Sequence, residues 1–349
     1  MSLLKQPKLQ TYKPFHYPWA YETFKKHEAL HWLPEEVPLG EDVKDWNEID
    51  AKQKAFLHSI FSLFTQNDVQ VGAGYDVLLR IFKPTEVQMM LRGNAARENI
   101  HIDGYSLLLD TLGLPDDTYS EFLEIPEMRC KMEYLNDCKV KKFEEYLAAA
   151  REELKPYGTD DEVNELMDKM YRKDIAKMLA VYASFTEGVS LFASFIMLLN
   201  YQRFNKFPGM CQIVTWSIRD EEMHVQGNTQ LFKAFIRENL DIWNDTTKQE
   251  IYSACREVVA MEEAFIDYVF ANGLTEGLTK DEMKTYVHYI ADRRLIELGL
   301  KGNWGVKDNP LPWVEEILNT PEFGNFFETR VTEYSKGTLT GSWDELRNS

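Results

Sequence analysis

Apolar residues recur at helical spacing along most of the chain, and the alternation typical of strands is nearly absent. Residues 49–82, for example, place Phe56, Ile60, Leu63 and Phe64 on one side of a helix. The same periodicity, interrupted at prolines and glycines, predicts further helices at residues 85–113, 126–154, 160–178, 180–201, after Pro208-Gly209, and at about 246–271 and 279–300. The pattern therefore predicts an all-α fold.

Proline and aromatic residues set off both ends of this helical pattern. Residues 1–48 are predicted to form an irregular N-terminal arm laid across the helical body. Residues 304–349 are predicted to form an irregular C-terminal segment, whose end from Arg330 to Ser349 has the composition of a mobile tail. One helical domain, residues 49–303, lies between them.

The run from Ala180 to Tyr201 is the most apolar in the chain and is about long enough to cross a bilayer, which takes roughly 20 residues. It contains one acidic residue, Glu187. A carboxylate at that depth is costly in lipid and in a protein core alike, unless it is paired or bound to a metal ion. Because no other stretch is comparably apolar, we favour the central helix of a soluble bundle over a membrane span.

Composition limits the partners of the chain. Its 349 residues carry a net charge of -18, with a pI near 4.9. Binding to nucleic acid or to an anionic membrane needs clustered Lys and Arg, so neither partner is expected. The four cysteines form no CxxC pair, and no signal segment precedes the aromatic arm, which predicts a cytoplasmic protein with reduced thiols.

A Glu-x-x-His pair on a predicted helix is the main chemical signal. It occurs as Glu98/His101 and again as Glu221/His224. Side chains three residues apart share one face of a helix, so each pair points a carboxylate and an imidazole in the same direction. Both groups can bind a metal ion, but one such pair alone is weak evidence for a metal site.

Each pair is preceded by a lone acidic residue in an apolar helix. Asp68 lies 30 positions before the first pair, and Glu187 lies 34 positions before the second. A third match, Glu28-x-x-His31, has no such partner and lies in a polar stretch, so we interpret it as solvated surface. A single match is expected by chance in a chain with 7 histidines, but the repeated spacing is not.

Two helical hairpins packed antiparallel would bring the six side chains to one level of a bundle. Ferritin-like dimetal proteins use this set of ligands, four carboxylates and two imidazoles. Two divalent cations would cancel the four negative charges, so that a site too costly to bury empty becomes neutral when filled. Oxygen-rich ligands with one imidazole per ion suit iron or manganese. We therefore predict a ferritin-like helical bundle with extra flanking helices and redox chemistry at a dinuclear centre.

These residues resemble the radical-generating small subunit of class I ribonucleotide reductase, and the resemblance covers nearly the whole chain. It includes an Asp as the first ligand, Tyr105 one turn after His101, and the sequence Ile218-Arg219-Asp220-Glu221. It implies two ligand sets with Glu98 and Glu221 as bridges: Asp68, Glu98 and His101 for one ion, and Glu187, Glu221 and His224 for the other. It also implies that Tyr105 forms a stable radical; a core tyrosine with a bonded hydroxyl is the alternative.

The resemblance further implies that an oxidising equivalent passes to a separate large (alpha) subunit, where ribonucleotides are reduced. The matching path here runs from the metal site through His101, Asp220, Trp19 and Tyr334. Trp19 is assigned from its Tyr17-Pro18-Trp19-Ala20 context, and an aromatic anchor for the arm is the alternative. The C-terminal tail, with Trp343-Asp344-Glu345-Leu346, resembles the segment that docks on the large subunit.

One region departs from the family pattern. Four residues before Glu221 the family usually has an apolar side chain against the radical tyrosine, but this chain has Ser217. Leu191 stands where an aromatic residue is common. A polar pocket disfavours a long-lived tyrosyl radical and favours an oxidising equivalent held on the metals, as in members that use manganese.

The chain is thus expected to be the small subunit of a ribonucleoside-diphosphate reductase, a homodimer with two iron or two manganese ions per chain that reacts with oxygen, superoxide or peroxide. Two other functions stay open. A ferritin-like oxidase or monooxygenase would turn over its own apolar substrate without a partner. An iron-storage protein would take up many ions per chain rather than two.

Overall fold

The structure, a computed structural model, describes residues 2–5, 11–139 and 160–318, and within these ranges every regular element is helical. The longer helices are α1 (Pro18–Glu28), α2 (Gly40–Glu48), α3 (Ala51–Ile81), α4 (Thr85–Leu112), α5 (Pro126–Asp137), α6 (Asp160–Leu179), α7 (Leu191–Leu199), α8 (Pro208–Glu238), α9 (Asp245–Asn272), α10 (Lys280–Glu297) and α11 (Pro312–Leu318). Single 3₁₀ turns lie at Pro34–Glu36, Asp116–Tyr119, Glu121–Leu123, Asn200–Phe204 and Leu240–Ile242. The predicted all-α fold is confirmed.

Helices α3 and α4 form a hairpin at the centre of the fold and pack on each other along their length. The start of α3 is capped by Asp50, whose carboxylate accepts hydrogen bonds from the backbone of Lys52 (2.8 Å) and Gln53 (2.9 Å). Helix α4 ends at Gly113, which has φ of 75° and so adopts the left-handed conformation that glycine tolerates best. Local signals in the sequence therefore set both ends of the hairpin.

The chain winds as a π-helix between α6 and α7, over Ala180–Ser190. All of these residues are buried, and the segment packs against α8, α9 and α10. The backbone N–H of Leu191 donates to the carbonyl of Thr186, five residues earlier, as in a π-helix. The side-chain hydroxyl of Thr186 also donates to a carbonyl five residues earlier, that of Val181, at 3.0 Å. The continuous helical stretch Asn164–Phe204, which includes the π-helix and α7, is long and apolar enough to cross a membrane. Its most apolar part is completely buried inside the protein, as in a core helix.

Gly74 allows α3 to lie close to the π-helix. A Cβ added there would lie 2.2 Å from Cε1 of Tyr182, whose hydroxyl is held by a hydrogen bond to the carbonyl of Leu135 (2.6 Å). We expect Gly74→Ala to lower the free energy of unfolding by about 1–3 kcal/mol, measured by chemical denaturation. Gly40→Ala is the control, because a Cβ there meets nothing within 4 Å. An equal loss in both variants would contradict this packing argument.

The N-terminal arm was predicted to be irregular, but it contains two helices, α1 and α2. Pro18 begins α1 at the position where its fixed φ and missing N–H suit a helix. The buried face of α1 consists of Ala20, Thr23 and His27, and the charged residues between them hid this spacing in the sequence.

Buried carboxylates attach the arm to the helical body. Asp42, at 0% exposure, accepts hydrogen bonds from the backbone of Gly209 (2.9 Å) and Met210 (2.7 Å) at the start of α8. Unpaired backbone N–H groups and the positive end of the helix dipole favour a carboxylate at this position. The arm thereby helps to place the helix that carries the second Glu-x-x-His pair.

The C-terminal segment also departs from the prediction, since Pro312–Leu318 is helical. The loop before it wraps around the carboxylate of Asp292, which accepts backbone hydrogen bonds from Trp304 (3.0 Å), Gly305 (2.7 Å) and Val306 (3.1 Å). The predicted tail, with Tyr334 and Trp343-Asp344-Glu345-Leu346, lies outside the described residues.

Candidate metal centre

The structure brings the six predicted ligands together in the core. Helix α3 contributes Asp68, α4 contributes Glu98 and His101, the π-helix contributes Glu187, and α8 contributes Glu221 and His224; each is at most 1% exposed. They form two overlapping groups whose ligand atoms lie within 4.8 Å of one another: Asp68, Glu98 and His101, and Glu98, Glu187, Glu221 and His224. The residues predicted from spacing alone therefore share one site.

Two carboxylates reach both histidines. Glu221 Oε1 lies 3.1 Å from Nδ1 of His101, and its Oε2 lies 3.1 Å from Nδ1 of His224. Glu98 has one oxygen 3.8 Å from Nδ1 of His101 and the other 3.2 Å from Nδ1 of His224. The other two carboxylates each approach one histidine, Asp68 at 3.9 Å from His101 and Glu187 at 3.5 Å from His224. Each half of the site thus has one acid of its own and two shared acids.

Burial of so many acids in one place alters their protonation. Burial, and then the neighbouring Glu221, raise the pKa of Glu98 to about 8. Burial and Glu98 likewise raise the pKa of Asp68 well above its usual value. Burial alone would lower the pKa of His101, but its hydrogen bonds to Asp220 and Glu221 outweigh burial and raise that pKa well above its usual value. Without cations, the site therefore reduces its negative charge by holding protons.

The donor set fits two divalent cations. Neither oxygen of Asp68 or Glu98 has a hydrogen-bond donor in the described part of the chain apart from nearby imidazole nitrogens. Carboxylates without donors at this depth are costly unless a cation satisfies them. Two divalent ions would supply four positive charges against four carboxylates, so these residues suit a dinuclear centre.

Tyr105 lies beside this centre, on α4 one turn after His101, and is 2% exposed. Its hydroxyl donates a hydrogen bond to Ser217 Oγ at 2.7 Å, and its ring packs on Phe64 with centroids 4.3 Å apart. The contact between Ser217 and the tyrosine, which the sequence indicated, is therefore present.

The indole that contacts Asp220 is that of Trp32, whereas the relay implied by the resemblance names Trp19 after Asp220. Trp32 Nε1 donates to Asp220 Oδ2 at 2.8 Å, and the same oxygen lies 3.4 Å from Nε2 of His101. Trp32 is fully buried and stacks over His101, with ring centroids 6.1 Å apart and planes 22° apart. Trp19 was chosen from its sequence context, whereas Trp32 lies just before the Pro34–Glu36 turn, where no periodicity indicates which side chains point inward.

The two histidines in the polar stretch around residue 30 differ. His31 is exposed, and Glu28 is exposed too, as predicted for the third Glu-x-x-His match. His27, four residues earlier in the same polar stretch, is 1% exposed and lies 3.7 Å from Asp220 Oδ1. Its spacing with Ala20 and Thr23 places it on the buried face of α1, but the charged residues between them hid that spacing in the sequence.

Arg294 connects the two ligand segments of the second half of the site. Its Nε donates to the carbonyl of Gly188 at 3.1 Å, and its Nη2 pairs with Glu222 at 2.6 Å. Gly188 follows Glu187 and Glu222 follows Glu221, so one buried guanidinium fixes both segments relative to each other. Nothing in the sequence pattern singled out this arginine.

Comparisons with known proteins agree with this geometry. The family model for the small chain of ribonucleotide reductase matches residues 9–310. A probable ribonucleoside-diphosphate reductase small subunit of Invertebrate iridescent virus 6 is 42% identical over 374 residues, which cover 100% of this chain and 99% of that protein.

Two solved structures share the fold. The ribonucleotide reductase R2 subunit from Clostridium botulinum has a TM-score of 0.72 at 21% identity and covers 90% of this chain and 92% of its own. The dimanganese(II)-NrdF of Streptococcus sanguinis has a TM-score of 0.60 at 20% identity and covers 90% and 100%, respectively.

Proposed function

This chain belongs to the ribonucleotide reductase small-chain family, and from that premise we infer that its buried centre stores the oxidising equivalent with which a large subunit starts reducing ribonucleotides to deoxyribonucleotides. The observation that carries this inference is the convergence of four carboxylates and two imidazoles in one dry site. The protein is an oxidoreductase subunit that acts together with the large subunit.

Each ligand has a role that follows from its contacts. Asp68 and Glu187 would each hold one ion, while Glu98 and Glu221, which reach both histidines, would bridge the two. When bound, two iron or manganese ions would supply redox chemistry with oxygen, superoxide or peroxide. The packed core keeps water away from the stored oxidant.

We favour manganese because of Ser217. Its hydroxyl gives Tyr105 a polar neighbour, and a polar neighbour disfavours a long-lived tyrosyl radical. The Streptococcus sanguinis relative in the comparison is a dimanganese protein. Metal analysis with low-temperature EPR after activation tests this preference. A multiline manganese signal without an organic radical supports storage on the metals, and a sharp radical signal with two irons that is lost in Tyr105→Phe supports Tyr105.

Ribonucleotide reduction also tests the function as a whole. The metal-loaded chain with a large subunit should reduce ribonucleoside diphosphates, and neither chain alone should do so. Turnover of an apolar substrate without a partner would instead support an oxidase or monooxygenase. Uptake of many ions per chain, rather than two, would support iron storage.

We propose that the relay of the oxidising equivalent from the metal centre to the large subunit continues through Tyr334. We also propose that the tail with Trp343-Asp344-Glu345-Leu346 docks on the large subunit and that the protein is a cytoplasmic homodimer. Tyr334→Phe should abolish nucleotide reduction while leaving the metal content intact, because phenylalanine cannot be oxidised at an O–H group. Retained activity would contradict the relay.

A peptide of residues 330–349 should compete with the intact chain for the large subunit. Without competition, the docking role of the tail would be contradicted.

A further inference from the structure

A second tyrosine lies against the metal centre, beside the other histidine. Tyr75 is on α3, two turns after Asp68, and is 2% exposed. Its ring centroid lies 5.9 Å from that of His224, with the two planes 76° apart. Its hydroxyl donates a hydrogen bond of 2.6 Å to Oε1 of Glu187. The phenol is therefore bonded directly to a carboxylate of the site.

Two amide side chains complete the hydrogen bonds of this phenol. Asn94, one turn before Glu98, donates to the Tyr75 oxygen at 3.2 Å, and Asn228, one turn after His224, donates at 2.9 Å. The Asn228 amide also lies 3.4 Å from Oε2 of Glu187. Helices α4 and α8, which both carry metal ligands, thus each send one further side chain to this phenol.

The hydrogen-bond partners of the two tyrosines differ in basicity. A phenol that loses an electron becomes a strong acid and must release its proton to a base within hydrogen-bond reach. Tyr105 donates to the alcohol of Ser217, which is a poor base, whereas Tyr75 donates to the carboxylate of Glu187. On this ground Tyr75 is better arranged than Tyr105 to be oxidised.

We propose that Tyr75 is a second redox-active tyrosine, which stores an oxidising equivalent on the His224 side of the centre. The proposal rests on the proposed function, because the activated metal pair is the oxidant. Tyr75 would give one electron to the bound metal pair, which would be reduced by one equivalent. The phenolic O–H bond breaks, and the proton moves to Oε1 of Glu187. The phenoxyl oxygen keeps its hydrogen bonds from Asn94 and Asn228.

Freeze-quench EPR of the metal-loaded protein after activation tests this assignment. The Tyr105→Phe variant should still form a tyrosyl radical, and growth on deuterated tyrosine should narrow its signal. The Tyr105→Phe/Tyr75→Phe double variant should lose the signal. Absence of a tyrosyl signal in Tyr105→Phe, or its persistence in the double variant, would overturn the proposal.

A control tyrosine shows whether the effect is specific. Tyr201 is buried and lies 14 residues beyond Glu187 along the same helical rod, about 20 Å away. Adding Tyr201→Phe to Tyr105→Phe should leave the radical signal unchanged. Loss of the signal in this variant as well would contradict the assignment of the radical to Tyr75.

A second variant keeps the phenol and changes only its surroundings. Asn94 donates to Tyr75 and has no hydrogen bond to Glu187 among the contacts of the described residues. Asn94→Ala in the Tyr105→Phe background should shift the g-tensor of the radical at high field, since the phenoxyl oxygen loses a donor. An unshifted spectrum would overturn the assignment even if the double variant failed to fold.

The metal content and activity of the wild-type chain distinguish a failure of this proposal from a failure of the proposed function on which it rests. If the wild-type chain binds two ions and supports nucleotide reduction but Tyr105→Phe shows no tyrosyl signal, only the role of Tyr75 fails. If the wild-type chain neither loads two ions nor supports reduction, the proposed function fails first.

Discussion

Replacing Trp32 by phenylalanine should reduce nucleotide reduction by about 100-fold, the upper end of the effect expected for the outer partners of metal ligands. Phenylalanine keeps a ring over His101 but lacks the indole N–H that donates to Asp220. Asp220 would then lose its neutral donor while it still faces the imidazole of His101. The connection from the arm to the metal centre is broken at that point.

Trp19→Phe is the matched control and should stay near wild-type activity. Trp19 is partly buried at the opposite end of α1, eight residues before His27 and so about 12 Å along the helix from the residue that approaches Asp220. Its described ring partner is Tyr17, with centroids 6.3 Å apart. This contact suits the anchoring role that sequence analysis left open for Trp19.

Both variants should be measured with saturating large subunit and normalised to metal content. If Trp32→Phe binds two ions but fails in reduction, the defect lies in the relay rather than in the centre. If Trp19→Phe is the inactive variant and Trp32→Phe is active, the path runs through Trp19 and the hydrogen bond to Asp220 has no part in it.

The metal ligands were predictable because their signal is local and repeated. Glu98 and His101 share a helix face by spacing alone, and an apolar helix that holds a single acid, such as Glu187, needs a reason for that acid. The hairpin ends at Asp50 and Gly113 are also local signals. The long helices and the six-residue site followed from these patterns.

Contacts between segments far apart in sequence were not predictable in this way. Trp32 and Asp220 are 188 residues apart, and Trp32 is in a loop without periodicity. The π-helix has the composition of an ordinary apolar helix, so its geometry depends on packing and on donors such as Arg294. Asn94 showed no signal, because a polar residue one turn from a ligand is equally consistent with solvent exposure.

The stability of the metal-free protein should fall as the pH rises from 6.5 to 8. The folded-state pKa of Glu98 is raised to about 8, whereas an unfolded Glu titrates near 4.3. Between these values the folded protein holds a proton that the unfolded chain has lost, so stability decreases with rising pH. His101 and His224, whose pKa values are raised by the surrounding carboxylates against the effect of burial, act in the same direction above about 6.5.

Groups with the opposite sign titrate outside this window. Asp220 has a lowered pKa because hydrogen bonding to His101 outweighs burial, and the pKa of Glu221 is lowered chiefly by His224 against burial. Their stabilising effect is therefore complete above about pH 4.5. Burial and His224 lower the pKa of His27, so its contribution rises with pH only up to about 6.5.

Manganese or iron(II) should counter this loss, because the ligands bind as deprotonated groups. At a free metal concentration of 100 times Kd, each ion adds about 2.7 kcal/mol to the stability of the folded state. Protons compete with the metal for Glu98 and both histidines, so the increase in Tm on adding a fixed concentration should be larger at pH 8 than at pH 6.5. Calorimetry with and without metal across this pH range measures the gain in Tm at each pH. The titration of surface groups affects both samples equally and cancels in that gain.

Glu98→Gln is the matched variant, since glutamine keeps the shape of the side chain but does not titrate. Its metal-free Tm should decrease less between pH 6.5 and 8 than that of the wild-type protein, and its gain on adding metal should be smaller at pH 8. A wild-type Tm gain that is the same at both pH values would contradict proton release from these ligands. A metal-free Tm that rises through the window would show that the carboxylates are already ionised in the folded core, against the protonation that their burial favours.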